Sequence, residues 1–204
     1  MLTAAIVVVI LLTPILLPKL FGVAPAQAQL ANLVATAALC ISTVVVGAAT
    51  DRFGLIRTAA PMLLLLIAST YVLFEIAGSE PTMQAGRSSL LVLIYAVAGF
   101  GAGAVVITPI QMIRSFPAAV RFSGVSFSYN FGFAIFGGAT PMFVSLLAHF
   151  DRISPAYYVA AVAMIGLGAT IVAPKRVLST DPYRPTAGPQ DEYWSEVGVT
   201  APRD

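Results

Sequence analysis

Six long apolar runs, separated by short breaks that carry the charge, constrain this chain more than any other feature. They are Leu2 to Leu17, Leu30 to Ala49, Ala59 to Ala77, Ser88 to Ile110, Phe122 to Ala148 and Pro155 to Ala173. About 20 mainly apolar residues carry a helix across the ~30 Å hydrocarbon core of a bilayer, so each run reads as a span. Every Lys, Arg and Asp lies in a break or beyond the last run. A charge at the centre of a membrane helix costs about 2.5–3.5 kcal/mol on insertion scales, which accounts for that exclusion. The pattern predicts an all-α integral membrane protein with six transmembrane helices. Of 204 residues, 58% are hydrophobic and 10% charged, against about a quarter charged in soluble domains. Membrane lipid is therefore the first expected partner.

The same residues exclude several function classes. A net charge of +2 excludes a basic nucleic-acid module, so no nucleic-acid partner is expected. Cys40 is the single cysteine and cannot form an internal disulfide; within an apolar run, it reads as a small core or lipid-facing residue. His149, the one histidine, stands beside Asp151 and Arg152 and reads as an exposed loop residue. No His/Cys/carboxylate cluster at metal spacing and no Gly-x-Ser-x-Gly elbow appears, so neither a metal nor an enzyme site is expected. Gly99-Phe100-Gly101-Ala102-Gly103 sits inside an apolar helix without the preceding strand or the third glycine of a dinucleotide fingerprint. No cofactor is expected.

Orientation follows from the basic residues. The second and fourth breaks and the segment after the last run hold Arg52, Arg57, Arg114, Arg121, Lys175 and Arg176, whereas the other breaks hold Lys19, Arg87 and Arg152. The richer side is cytoplasmic. Both termini are then inside a cell inner (plasma) membrane, and Pro25, Glu80 and Asp151 lie outside. The opening run is short, contains Thr13-Pro14 and starts at Met1 with no Lys or Arg before it, as a helix entered part-way along would. Ala24-Pro25-Ala26-Gln27-Ala28 also offers a signal-peptide alternative, whose cleavage would leave five spans in the same orientation. The chain divides into a membrane domain, 1–175, and a tail, 176–204, where Pro174-Lys175-Arg176 stops the last helix and periodicity ends. The tail is expected to be a flexible cytoplasmic extension.

Within the spans, small and polar residues mark faces that pack on other helices or line a pathway, because lipid offers no hydrophobic reward for helix association. Gly99, Gly101 and Gly103 form one such face. In the fifth run Ser123, Ser126, Asn130, Ala134, Gly137 and Pro141 recur at helical spacing, with Phe127, Phe131 and Phe136 falling largely elsewhere. Asn130 has two readings, an interhelical hydrogen bond or a solute contact. Glu75 is the one acid inside a run; it either snorkels to the nearby interface or carries a proton from a buried position.

Two motifs carry a resemblance. Gly47-Ala48-Ala49-Thr50-Asp51-Arg52-Phe53-Gly54-Leu55-Ile56-Arg57 resembles the Gly-x-x-x-Asp-Arg-x-Gly-Arg-Arg loop of the major facilitator superfamily, with Leu55 and Ile56 where basic residues usually stand. Phe116-Pro117-Ala118-Ala119-Val120-Arg121-Phe122-Ser123-Gly124, continuing through Tyr129-Asn130 and Gly137-Gly138-Ala139-Thr140-Pro141, is similar to the tenth-to-eleventh helix region of its metabolite:proton symporters, the proline/betaine, alpha-ketoglutarate and shikimate transporter-like branch. Pro155-Ala156-Tyr157-Tyr158 resembles that branch too, while Ser115 replaces the acidic or small residue often found before Phe-Pro.

The resemblance covers nearly all of residues 1–175 and implies the C-terminal six-helix half of a twelve-helix fold, in which two halves rock about a midplane solute site. It implies proton symport of a small polar organic solute, such as a carboxylate, amino acid or betaine, by a truncated or split half-transporter. The partner would be an N-terminal six-helix half or a second copy. The alternative is a non-transporting remnant or interaction subunit paired with another membrane chain. Asp51, Arg52, Arg57 and Arg121 are the implied gating latch, or topology determinants with no switching role. Asp51 at a helix C-terminus needs compensating positive charge, and Arg121 with the free N–H groups of Phe122 to Gly124 would supply it. Ser126, Asn130 and Glu75 are the candidates for the solute pathway.

The topology is testable by labelling in sealed cells. A cysteine at Ala24 or Ser79 should react with an impermeant reagent from outside, and one at Ser115 or Ser179 should not. Labelling at position 115 would contradict the orientation.

Overall fold

The computed structural model describes residues 2–78, 85–116 and 120–172. The tail expected at 176–204, and Pro117, Ala118 and Ala119 of the second motif, lie outside the described residues. Among the described residues six helices are long and apolar enough to cross a membrane: α1 (Thr3–Phe21), α2 (Pro25–Phe53), α3 (Leu55–Gly78), α4 (Ser89–Ile113), α5 (Arg121–Leu147) and α6 (Ser154–Val172). No strand occurs among the described residues. The described residues are all-helical, and their six apolar spans make the chain a multi-pass membrane protein.

The helices follow the six apolar runs but extend beyond several of them. The opening span is not short: α1 continues through Pro18 and Lys19 to Phe21, giving 19 residues, about 28 Å at ~1.5 Å per residue. It stops at Gly22, whose N–H makes the last helical bond to the Pro18 carbonyl at 3.1 Å and whose φ of 68° then turns the chain out of the helix. Helix α2 spans 29 residues and takes in Gln27 and Gln29 at one end and Asp51 and Arg52 at the other. Lys19, Asp51, Arg52 and Arg57 thus occupy terminal helical turns, where the sequence pattern alone predicts breaks. A single non-helical residue, Gly54, separates α2 from α3 with φ 89° and ψ 160°. A side chain there would be strained, so the tight link requires glycine.

Helix α4 is the centre of the bundle, packed along α2 on one side and α3 on the other. Its glycines allow both approaches. A Cβ on Gly99 would strike the Ala35 carbonyl and one on Gly103 the Ser42 side chain, so these two, four residues apart, face α2. A Cβ on Gly101 would lie 2.8 Å from the Leu66 backbone of α3. Helix α2 answers with its own small face, Ala28, Ala31, Ala35 and Ser42, all buried. The Ser42 hydroxyl donates across the contact to the Phe100 carbonyl. Such backbone proximity supplies the dispersion that replaces the hydrophobic effect inside lipid.

Hydroxyls inside the spans mostly return to the preceding turn. Thr36, Thr50, Ser69 and Thr170 donate to carbonyls four residues back, which keeps their polar atoms satisfied in hydrocarbon. A smaller set joins different helices. Thr140 of α5 meets the Tyr158 hydroxyl of α6 at 2.8 Å, and Thr170 of α6 meets the Gln111 amide oxygen of α4 at 3.1 Å. Tyr95 of α4, fully buried, donates to the Val9 carbonyl of α1 at 2.6 Å and lies 2.8 Å from the Asn32 amide of α2.

Three spans depart from α geometry: α1 over Val7–Leu12 and α5 over Phe133–Gly137 widen into π turns, and α4 tightens into a 3₁₀ turn over Gly103–Val106. The π turn of α5 divides that helix into unequal environments. Its first part, Arg121–Gly132, contains no buried residue, while Gly137 at the end of the turn and Thr140 and Val144 beyond it are buried among α1 and α6.

Adding one methyl group separates the crowded glycines from the open ones. Gly101→Ala should lower stability by about 1–3 kcal/mol, the usual cost of overpacking. Gly168→Ala, where nothing lies within 4 Å of the new Cβ, should stay within about 0.5 kcal/mol of the parent. Thermal unfolding in detergent measures both; equal losses would contradict the proposed packing.

Candidate functional site

The exposed first part of α5 carries the polar strip that the sequence pattern outlines. Ser123, Ser126 and Asn130 are exposed and border one open depression, together with Phe122, Phe127 and Phe131. The sequence spacing separates these aromatics from the polar strip, but adjacent positions lie only about 100° apart on a helix, and the rings border the polar line. Phe127 and Phe131 stack on each other with centroids 5.7 Å apart, and Phe122 is 87% exposed. Farther along, Gly137 turns inward and is buried, so the strip runs from the open surface into the α1–α6 contact.

Asn130 makes its hydrogen bond within its own helix, Nδ2 donating to the Ser126 carbonyl at 2.8 Å. Among the described residues no bond from Asn130 reaches another helix. Its amide oxygen is therefore left to the surroundings of α5. In hydrocarbon an unmet polar group of this kind costs about 1–3 kcal/mol, whereas water, a solute or a facing helix would satisfy it.

The charged link at the other end of α2 is compact. Asp51 and Arg52 lie in the last turn of α2, Arg57 in the first turn of α3, and all three are exposed. Arg52 extends over the Phe53 ring at 5.6 Å from its centroid, a cation–π contact. Arg121 begins α5 and directs its Nε to the Phe116 carbonyl at 3.2 Å. Among the described residues no ion pair joins Asp51, Arg52, Arg57 or Arg121 to an opposite charge. The first turn of α5, with no side chain capping it, leaves N–H groups available to an anion.

Glu75 sits one turn from the end of α3, exposed, and accepts a hydrogen bond from Tyr71 at 2.9 Å. Tyr71 in turn lies 6.3 Å from the Tyr157 ring of α6. Exposed tyrosines beside a carboxylate near a helix end suit the bilayer interface, where an aromatic body meets lipid and its hydroxyl meets water. Glu75 does not line the α5 depression. Cys40 is exposed on α2, outside the core. No group of three or more potential metal ligands occurs among the described residues.

The Tyr95–Asn32–Val9 junction escapes motif reading. Its signal in the sequence is modest but physical: an asparagine and a tyrosine each within an apolar run, both requiring partners in lipid.

No protein-family model matches the chain, and no solved structure matches it. A curated relative does: the chain is 32% identical over 126 residues to a citrate-proton symporter of Klebsiella pneumoniae, an alignment covering 61% of this chain and 28% of the relative. The aligned chain thus spans little more than a quarter of that relative's length. The six apolar helices fit half of a transporter, and the relative's name is that of a transporter rather than of an enzyme.

Proposed function

We propose that this chain, in the inner membrane, is one half of a proton-coupled transporter for a small carboxylate, working with a second six-helix bundle. The observation that carries the proposal is the similarity to a citrate-proton symporter, of which this chain matches only 28%. The open α5 strip supports it, since Ser126 and Asn130 there lack a facing helix among the described residues.

In this reading Ser123, Ser126 and Asn130 line the solute pathway on one side, and the second bundle closes the other. The hydroxyls and amide donate hydrogen bonds to carboxylate oxygens; a charge-assisted bond of this type is roughly twice as strong as a neutral one. The central turns of the described spans carry no Lys or Arg. A carboxylate in transit therefore takes its countercharge from the second bundle or from co-transported protons. Asp51, Arg52, Arg57 and Arg121 form a cytoplasmic latch that closes as the halves rock together, with the uncapped start of α5 receiving the Asp51 carboxylate. Residues 1–175 form the membrane half and 176–204 its cytoplasmic tail.

Uptake in proteoliposomes with an imposed proton gradient tests the proposal, using citrate as the probe. The chain alone should accumulate none, because alternating access requires two opposed bundles. Adding a separately expressed N-terminal six-helix half from the same genome should give proton-driven uptake. Uptake by the chain alone, abolished by Glu75→Gln, would overturn the half-transporter reading and make Glu75 the coupling acid.

A further inference from the structure

The π turn of α1 has a chemical cause that lies partly in another helix. In an α ladder the Thr13 N–H would bond the Val9 carbonyl, but here it bonds Val8, five residues back, and the Thr13 hydroxyl donates to the same Val8 oxygen at 2.8 Å. The π ladder would give Val9 the N–H of residue 14. Residue 14 is proline and has none. Val9 is therefore left without a ladder donor, and the Tyr95 hydroxyl of α4 takes that place at 2.6 Å.

Proline 14 leaves one carbonyl short in either register. In the π register the short carbonyl is Val9. If the turn reverted to α, Thr13 would serve Val9, and the Ile10 carbonyl would face the proline ring without a donor. The two registers differ in which oxygen needs outside help, and Tyr95 reaches only one of them here. Its hydroxyl has a single proton, and Asn32 lies 2.8 Å away on its other side. The Asn32 amide nitrogen, in the flipped orientation, would donate to the Tyr95 oxygen and leave that proton aimed at Val9.

We propose that Tyr95 is a register pin for α1: its bond to the Val9 carbonyl holds the π turn, and its withdrawal lets the turn revert to a proline-kinked α-helix. Because a π turn carries extra residue length without advancing the helical phase, reversion turns residues 3–6 by about 100° relative to the segment after Pro14. The segment before the turn contains Ala4 and Ala5, both buried, and it packs on α6 and on the π turn of α5. Movement of α4 relative to α1 is thereby converted into rotation of one end of α1 against two other helices. The device belongs to this chain's own bundle and holds whatever solute is carried.

Nitroxide scanning of residues 3–6 in the full chain, reconstituted in liposomes on a Cys40→Ser background, reads the helical phase from collisions with dissolved oxygen. Tyr95→Phe should turn the phase of this segment by about 100°. Pro14→Ala supplies the missing backbone donor in either register, so on that background the phase should no longer depend on Tyr95, and Pro14→Ala should match Tyr95→Phe with Pro14→Ala. Asn32→Ala, which leaves the Tyr95–Val9 bond in place, should not change it. If Tyr95→Phe alone does not accumulate in the membrane, rescue of accumulation by Pro14→Ala supports the pin, and failure of that rescue overturns it. An unchanged phase in Tyr95→Phe, or a phase that still depends on Tyr95 in the Pro14→Ala background, also overturns it.

Discussion

The contact of α4 with its two neighbours at backbone distance governs the rest of this bundle. Lipid tails are as apolar as the side chains, so helices gain little by hiding leucine from them. What remains is dispersion, which grows with closeness, and polar bonds that have no better partner. Gly99, Gly101 and Gly103 let α4 lie against α2 and α3 at once, since each lacks the methyl group that would strike a neighbouring backbone or side chain. Ser42 then reaches the Phe100 carbonyl, and Tyr95, held at the same contact, reaches both α1 and α2. The fourth span is the scaffold from which the others take their positions.

The opposite condition holds at α5. Its second part is fastened by the Thr140–Tyr158 bond and by buried Val144, while its first part presents serines, an asparagine and three phenylalanines with no helix over them. A lipid-facing helix has no use for Asn130, whose amide oxygen would be unmet in hydrocarbon. The contrast with the outer face of α2 is instructive. There Leu33, Ile41 and Val44 are exposed and apolar throughout, a surface suited to lipid. The α5 strip is suited to water, a solute or a second bundle, which is why the proposed pathway is placed there.

Six spans were legible because the rule behind them is local: charge is excluded from hydrocarbon, so charges mark the breaks. The ends were less legible. Lys19, Asp51 and Arg52 continue helices into the interface, where snorkelling makes a charge tolerable, and Pro18 does not stop α1. The glycine face was readable from spacing, although its division between two neighbours, Gly101 on one side and Gly99 with Gly103 on the other, depends on tertiary placement. The strip of Ser126 and Asn130 was readable as a face; that Phe127 and Phe131 border it follows from ring length rather than periodicity. The π turn of α1 was not readable. Thr13-Pro14 explains why a carbonyl is left short, but which one depends on Tyr95, distant in sequence. For Asp51 and Arg121 the motif gives an expected partnership, and the structure gives Arg121 a backbone acceptor instead.

The central claim is that the exposed face of α5 is a pathway surface and not a lipid surface. Deuterium modulation of a nitroxide spin echo in heavy water reports water density at a chosen residue. Labels at Ser126 and Asn130, in liposomes holding the chain with its complementary half, should show several times the modulation of a label at Val44 on the lipid-suited face of α2. Modulation at Ser126 and Asn130 as low as at Val44 would place the strip in lipid and contradict the account.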